Sequence, residues 1–432
     1  MDVKFLPLAM DLNLGQKTGE GNFVSIDLRS CDLEFGFKSL RTDIPFLDLV
    51  RPHLELEEEL VSVFRRSLRN ADFIGGKMVE VFQHEFAAFC GTLYCTGVGS
   101  GTDGLRLALK AAGISAGDIV VTVPNTFIAT TEAISQVGAI TDFVDVLETT
   151  LTMDAQKLNE YLETRCSFDK SGRLIHRGKG RPVRALIPVH LYGQPADMDP
   201  LLELARKYRL LVIEDACQAH GAQYFSTREK AWKTAGSFGD AAAFSFYPGK
   251  NLGACGEAGA VTTNDKALAE RVGMLANHGQ SRKYYHDVEG SNSRLDAIQA
   301  GILSVKLKHL HQWNQKRREC AALYDRLLGK APGVVLPYVG PRLRPVFHLY
   351  VIRTRRRDAL KNHLQRHGVT TGLHYPLPLH LQKSYRGMNF RPGSFPVAET
   401  AAARILSLPM GPTLTKDQIE YISDIIFRFM ST

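Results

Sequence analysis

The segment that decides the fold runs from residue 242 to residue 253 and reads AAFSFYPGKNLG. An apolar run ends at Phe246, and a lone lysine, Lys250, follows the turn. Burial at the mouth of a strand disfavours the ammonium form, which lowers the lysine pKa and frees the amine to attack an aldehyde. The pattern predicts a Schiff-base lysine and pyridoxal phosphate as the cofactor. The alternative is a surface lysine that stays solvated.

Size and composition indicate a globular enzyme. The chain has 432 residues and 44% hydrophobic content, enough for a large core in two or three structural units. The charge-free stretch around the apolar run 119–131 is shorter than the roughly 20 residues of a membrane helix, so we expect no membrane partner. The N-terminus lacks a signal-peptide pattern, and seven cysteines form no C-x-x-C pair. These features predict a cytoplasmic protein with reduced thiols.

The formal charge of +8 does not indicate a nucleic-acid partner. It is spread along the chain, with one dense patch at Arg353 and 355–357. No aromatic residues interleave this patch as a base-stacking platform would require, so we interpret it as a solvated face. A mild basic excess suits an enzyme whose cofactor and substrate both carry phosphates.

Between residues 81 and 277, helical periodicity alternates with short β-branched runs, which predicts an α/β fold with a mostly parallel sheet. A crossover helix is predicted over 199–208, with Asp199 as its N-cap and Pro200 at its first position. In such sheets, ligands bind beyond the carboxyl ends of the strands. The predicted strands are 119–123, 185–189, 210–213, 241–246 and 260–263.

The second half of the chain predicts a smaller α+β domain. Residues 294–329 contain almost no helix breaker, and one helix of about 50 Å would bridge two domains. We predict a large cofactor-binding domain over 42–290, and the long helix with a small domain over 291–432. In the small domain, a strand is expected at 346–353 and helices at 358–367 and 416–430. Residues 1–41 show no sustained periodicity and are predicted to be a disordered or loosely packed extension.

Three further segments supply groups that this cofactor needs. Asp215 follows a predicted strand and is a candidate to face the ring nitrogen, because a protonated pyridinium is the electron sink; the alternative is an N-cap. Gly101 and Thr102 lie in a glycine-rich turn before an apolar helix, where backbone amides bind phosphate; the alternative is a plain helix cap. Phe127 follows another strand and would stack on the ring, or else pack in the core.

Together these segments resemble the fold-type I pyridoxal phosphate enzymes, and specifically the DegT-like sugar aminotransferases that act on nucleotide-linked keto sugars. The resemblance extends from residue 44 to residue 430. It rests on the motifs IPFLDL (44–49), SGT (100–102), VHLYG (189–193), EDA (214–216) and SFYPGKNLG (245–253).

The resemblance implies roles for individual residues. Lys250 would bind the cofactor aldehyde, and Asp215 would pair with the ring nitrogen. Gln218 would hydrogen-bond the ring hydroxyl, whereas Ser245 and Thr102 would contact the phosphate. Related sugar dehydratases carry histidine where this chain has lysine, so the lysine favours transamination.

The resemblance also implies a second subunit and a substrate region. Asn292 matches a family position that reaches the phosphate of the neighbouring subunit, which implies a homodimer with shared active sites; the alternative is a solvated turn. His190, Tyr375 and His380 are predicted to lie near the sugar substrate. For Tyr375 and His380 the alternative is a proline-rich surface loop.

The predicted reaction moves an amino group from glutamate to a keto sugar nucleotide, most closely a 3-keto-6-deoxyhexose, in amino-sugar and polysaccharide biosynthesis. Amination of a 4-keto sugar nucleotide or a keto-cyclitol is the alternative. A non-enzymatic regulatory protein of the same fold is disfavoured, because both Lys250 and Asp215 are present.

Overall fold

Twelve α-helices and sixteen β-strands alternate along residues 43–432, the part of the chain that the structure, a computed structural model, describes. The predicted extension over 1–41 lies outside the described residues. The helices are α1 (Val50–Leu54), α2 (Glu57–Asn70), α3 (Lys77–Cys90), α4 (Gly101–Ala111), α5 (Ala129–Gln136), α6 (Ala155–Arg165), α7 (Met198–Tyr208), α8 (Lys266–Ala276), α9 (Ala297–Leu328), α10 (Arg357–Arg366), α11 (Pro396–Arg404) and α12 (Lys416–Ser431).

The strands are short, as is usual for a sheet of this kind. They are β1 (Tyr94–Val98), β2 (Ile119–Thr122), β3 (Ile140–Phe143), β4 (Cys166–Phe168), β5 (Leu174–His176), β6 (Arg181–Leu186), β7 (Leu211–Asp215), β8 (Gln223–Ser226), β9 (Ala231–Thr234), β10 (Ala241–Ser245), β11 (Gly259–Thr263), β12 (Gln280–Arg282), β13 (Tyr285–His286), β14 (Leu343–Arg344), β15 (Tyr350–Arg353) and β16 (Ile405–Leu408).

The central sheet has nine strands, seven of which follow the order β1-β11-β10-β7-β6-β2-β3. The five strands from β10 to β3 are parallel, and β11 is antiparallel to both of its neighbours. All five predicted strands of the large domain are present, so the α/β prediction is confirmed. The strand predicted at 185–189 ends earlier, at Leu186, and Val189 instead forms an isolated bridge with Asp215.

Helices cover both faces of this sheet. In β2 every residue is buried, with Ile119 and Val121 in one hydrophobic cluster and Val120 in another. Successive strand side chains point to opposite faces, so a strand buried on both sides is apolar throughout. This burial explains the apolar run 119–121 that identified the strand, and the buried Thr122 hydroxyl donates to Ile187 O at 2.9 Å.

The predicted N-cap of the crossover helix is wrong by two residues. Helix α7 begins at Met198, and Asp197 precedes it as the N-cap residue. The Asp199 carboxylate instead accepts hydrogen bonds from Ser226 Oγ at 2.7 Å and Thr227 N at 2.7 Å. Contacts with a distant strand, invisible in the local pattern, therefore replaced the capping role predicted for Asp199.

The long helix α9 has 32 residues and spans about 48 Å at 1.5 Å per residue. Its first half contributes Leu303 and Leu310 to a cluster that packs on α3 and the sheet, and its second half contributes Tyr324 and Leu328 to a separate cluster around β15, β16 and α12. One helix thus joins two hydrophobic cores. The domain boundaries 42–290 and 291–432 remain a prediction.

The strand predicted at 346–353 begins only at Tyr350. Before it, Val346 N donates to Gly193 O at 2.9 Å and Leu349 N donates to Tyr192 O at 3.2 Å. These bonds hold the segment against a loop of the central sheet and keep it out of the β15–β16 pair. Among the helices of residues 43–432, none combines the length and hydropathy needed to cross a membrane.

Candidate active site

The predicted site residues follow the carboxyl ends of neighbouring strands. Asp215 ends β7 and Ser245 ends β10, and the parallel register places Ala243 beside Asp215. Phe127 lies in the segment between β2 and α5. Because parallel strands end at one edge of the sheet, segments far apart in the chain meet there.

Lys250 lies in a tight loop after β10. Its backbone N–H donates to Tyr247 O at 2.8 Å, and Ala254 N closes the loop on Phe246 O at 2.7 Å. A Cβ on Gly253 would lie 2.3 Å from Pro248 O, so the loop requires glycine there. Backbone contacts therefore fix the conformation of the loop that carries Lys250.

Burial of Lys250 favours a neutral amine. Burial lowers the pKa of Lys250, and the nearby Cys217 and Asp215 offset part of that shift. The lysine charge and burial together also lower the pKa of His220 to about 3 and that of His374 to about 4, with burial the larger cause. The imidazoles of His220 and His374 are therefore neutral at physiological pH.

The Asp215 carboxylate is held in one orientation. It is 6% exposed, and Thr130 Oγ1 donates to its Oδ2 at 2.7 Å. Cys217 N donates to its Oδ1 at 3.2 Å. Two fixed donors leave the remaining lone pairs of both oxygens for a cationic N–H partner.

The glycine-rich turn packs directly against the strand that carries Ser245. Helix α4 begins at Gly101, and the side chain of the N-cap Ser100 accepts from Asp103 N at 3.1 Å. A Cβ on Gly101 would lie 2.6 Å from Ser245 Cβ and 2.9 Å from Cys217 Sγ. Glycine alone allows this approach, which brings a helix N-terminus and its partial positive charge to the end of β10.

A polar and aromatic group lies beside Asp215. Gln218 Oε1 accepts from Tyr192 N at 2.7 Å, and Gln218 Nε2 donates to the Tyr375 hydroxyl at 3.1 Å. The Phe127 ring centroid lies 5.7 Å from that of Tyr375, and Phe127 is 53% exposed. An exposed aromatic face at a polar cleft is available for stacking, so the core alternative for Phe127 is excluded.

Two residues predicted to contact the sugar are buried elsewhere. His190 is 0% exposed; its Nε2 pairs with Glu214 Oε2 at 2.8 Å and its Nδ1 accepts from Ala196 N at 3.0 Å. His380 is 2% exposed and pairs with Glu399 Oε1 at 3.0 Å. The Glu214 and Glu399 carboxylates hold the two rings, so this geometry does not favour the substrate role predicted for His190 and His380, which stays a prediction.

Asn292 lies in the segment between β13 and α9. It is exposed, and its backbone bridges Asn277. Its proposed reach toward a neighbouring subunit therefore remains a prediction.

Two residues of the site, Thr130 and Tyr192, had no predicted role. Thr130, which orients Asp215, lies in the first turn of α5, and Tyr192 connects the VHLYG motif to Gln218 and, through its hydroxyl, to His374 O. Both lie next to segments that the sequence had singled out. Their partners are distant in the chain, so only proximity to a motif could have signalled them.

The residues present fit pyridoxal phosphate. The Lys250 amine is suited to its aldehyde, the oriented Asp215 carboxylate to its ring nitrogen and the exposed Phe127 face to its ring. The close approach of Gly101 to Ser245 leaves a helix N-terminus for its phosphate.

The fold and this arrangement of groups define a pyridoxal phosphate-dependent aminotransferase. The sequence profile of the DegT/DnrJ/EryC1/StrS aminotransferase family matches residues 54–427. The chain belongs to that family, which confirms the predicted family and cofactor.

Individual relatives cover almost the whole described chain. The dTDP-3-amino-3,4,6-trideoxy-alpha-D-glucose transaminase of Streptomyces venezuelae is 43% identical over 89% of this chain and 95% of its own length. The erythromycin biosynthesis sensory transduction protein EryC1 of Saccharopolyspora erythraea is 42% identical over 88% and 98%. A crystal structure of S. venezuelae DesV superposes with a TM-score of 0.83 at 42% identity, covering 90% of this chain and 99% of that one.

Proposed function

We propose that this aminotransferase moves the amino group of glutamate to a nucleotide-linked 3-keto-6-deoxyhexose. The observation that carries the reaction is the half-buried Lys250 amine, whose pKa is lowered by burial and which is electrostatically coupled to the oriented Asp215 carboxylate. The relative from S. venezuelae named for a 3-amino dTDP sugar supports amination at C3.

Pyridoxal phosphate, when bound, supplies the electron sink for the charge left when a proton leaves the amino-acid α-carbon. Lys250 Nζ acts as the general base that takes this proton and as the general acid that returns it. A lowered pKa keeps more of the amine neutral near pH 7, and a neutral amine is the form that accepts a proton. The same group performs the reverse transfer on the sugar.

The other site residues are proposed to hold and orient the cofactor and the sugar. Asp215 is proposed to pair with the ring nitrogen, because Thr130 Oγ1 and Cys217 N keep its carboxylate in place. Gln218 is proposed to contact the ring hydroxyl, and Tyr375 the sugar, since the two already share a hydrogen bond.

The phosphate is proposed to bind Gly101, Thr102 and Ser245 at the start of α4. The tight packing of Gly101 on Ser245 brings the first helical amides and a serine hydroxyl to one point. Amides at a helix N-terminus donate to an anion without further cost in side-chain entropy.

We propose a cytoplasmic homodimer with shared active sites, in which Asn292 reaches the phosphate bound by the partner. The exposed position of Asn292 supports this, as does an apolar surface on α1, α2 and the segment after them. Large contiguous apolar surfaces on a folded protein mark interaction sites. The exposed apolar side chains of this surface are Val50, Leu54, Phe64, Leu68, Phe73 and Ile74.

Mixed dimers test the shared sites. We expect Lys250→Ala and Asn292→Ala proteins to be weakly active alone and to regain activity after subunit exchange, because one site of each mixed dimer then carries neither change. Sedimentation measures the oligomeric state of the protein independently of its activity. A monomer at micromolar concentration, or no recovery on exchange, contradicts the proposal.

A substrate panel tests the reaction itself. Purified protein is incubated with pyridoxal phosphate, glutamate and matched 3-keto and 4-keto sugar nucleotides, together with a keto-cyclitol, and the products are assigned by NMR. We expect an amine at C3. Amination only at C4, or turnover of the cyclitol alone, would overturn the substrate assignment while leaving the aminotransferase class intact.

Borohydride trapping tests the lysine. Reduction of the loaded protein followed by peptide mapping is expected to place the cofactor on the peptide that contains Lys250. The absence of an adduct there would favour a regulatory role without catalysis, and full turnover by Lys250→Ala would refute the mechanism.

A further inference from the structure

One buried polar side chain on the long helix has no role in the function proposed so far. Asn314 lies on α9 and is 2% exposed, one turn from the buried Leu310. Asparagine is a poor helix former, and a buried amide is destabilising unless it is hydrogen-bonded. Its location inside the helix therefore calls for specific partners.

The two ends of the Asn314 amide contact the two halves of the active site. Its Oδ1 accepts from Asn251 Nδ2 at 2.9 Å, and its Nδ2 donates to His220 O at 2.8 Å. Asn251 directly follows Lys250, and His220 lies in the turn that begins at Asp215. A single side chain of a rigid helix thus joins the lysine loop to the aspartate turn.

Asn251 and His220, the two partners of Asn314, make further hydrogen bonds. Asn251 Nδ2 also donates to Val346 O at 3.0 Å, which connects the lysine loop to the segment before β15. His220 Nε2 bonds Ser245 O at 2.9 Å, at the end of β10. Hydrogen-bonded networks of this kind, when buried, hold a single arrangement of the groups they join.

The close approach also depends on a glycine. Gly221 has a φ of +84°, and a Cβ there would lie 3.0 Å from Asn314 Nδ2 and 2.8 Å from the Phe89 ring. A side chain at this position would push the helix and the turn apart. The local backbone is therefore built to admit the asparagine.

We propose that Asn314 is a positioning residue that holds the Lys250 amine at its distance from the Asp215 carboxylate by tying Asn251 and His220 to one helix. It touches neither substrate nor cofactor and acts through Asn251. This inference rests on the proposed roles of Lys250 and Asp215. Groups held by rigid elements keep reactive geometry better than groups on free loops.

Asn314→Leu tests the proposal, because leucine has a similar size and makes no hydrogen bond. We expect kcat of the holoenzyme to fall about 10- to 100-fold with a smaller change in KM, since a misplacement of 1 Å costs about 100-fold in rate. Asn251→Ala breaks the same link from the loop side and is expected to give the same loss. Both variants remove the Asn251–Asn314 bond, but each also removes one bond of its own, so the loss in the double variant is expected to be smaller than the two single losses combined.

Leu328→Ala is the matched control. This substitution changes the same helix about 21 Å further along its axis. It creates a cavity in the core around β15 and β16. We expect lower thermal stability with unchanged kcat. If Leu328→Ala loses kcat in the same proportion to its lost stability as Asn314→Leu does, the role of Asn314 is only structural and the proposal is wrong.

A second readout needs no turnover. In the full-length protein without cofactor, reductive methylation of Lys250 is followed across pH by peptide mass analysis. Wild-type Lys250 is expected to react at lower pH than exposed lysines, and Asn314→Leu is expected to shift its profile toward theirs. A wild-type profile and wild-type kcat in Asn314→Leu would overturn the proposal. Failure of the wild-type protein to aminate any sugar would refute the proposed function but leave this comparison valid.

Discussion

The packing of Gly101 predicts the effect of adding a single methyl group. In Gly101→Ala the new Cβ would lie 2.6 Å from Ser245 Cβ and 2.9 Å from Cys217 Sγ, whereas carbon atoms in contact lie about 3.5–4.0 Å apart. Relieving an overlap of about 1 Å moves the start of α4 away from β10. Overpacking costs about 1–3 kcal/mol, and replacing glycine in a helix returns up to about 1 kcal/mol. We expect a net loss of about 1–2 kcal/mol.

Thermal unfolding and cofactor titration measure this effect. At about 2–4 °C per kcal/mol, the midpoint of Gly101→Ala is expected to fall by about 2–8 °C. Its affinity for pyridoxal phosphate should also fall, because the helix N-terminus moves. Gly273→Ala is the control: its nearest neighbour, Thr96 Cγ2, lies 3.8 Å from the added Cβ, so this helical alanine is expected to stabilise. A Gly101→Ala protein as stable as wild type, with equal cofactor affinity, would refute the packing argument.

Three further changes follow from the site. Burial lowers the pKa of Lys250, so the folded protein binds this proton less tightly than the unfolded chain, and stability falls as pH drops from the ordinary lysine pKa to the lowered one. Lys250→Met should therefore raise the unfolding midpoint of cofactor-free protein at pH 7, and the gain should shrink toward pH 10; an equal gain at both values contradicts the shift. His190→Ala should lower the free energy of unfolding by about 3 kcal/mol in urea titrations, because Glu214 loses a buried partner, and should leave KM for the sugar unchanged; a raised KM in folded protein would restore a substrate role. Phe127→Ala should weaken cofactor binding about 2- to 13-fold, from the 0.5–1.5 kcal/mol typical of aromatic stacking, with little change in stability since the ring is exposed; an unchanged dissociation constant would exclude stacking.

The local residue pattern and the order of the elements along the chain were sufficient to predict the architecture. Buried strands such as β2 are mostly apolar, and helices repeat apolar residues every three to four positions, so both leave a signal within a short window. Lys250 and Asp215 could be placed together from the sequence because each follows a strand and parallel strands end at one edge. Segment ends were less accurate: the N-cap of α7 lies two residues before the predicted one, and β15 begins four residues later than predicted, because partners distant in the chain hold the residues concerned.

The amino-acid sequence by itself determined the α/β class and the family, and it predicted the lysine and aspartate of the proposed site, since these depend on periodicity and on motifs within single segments. Only the tertiary structure decided which side chains orient them. Thr130 meets Asp215 across 85 residues, and Asn314 meets His220 across 94. It also decided that His190 pairs with Glu214 and His380 with Glu399. Contacts between residues so far apart leave no periodic trace in the chain, because they arise only when separate elements pack together.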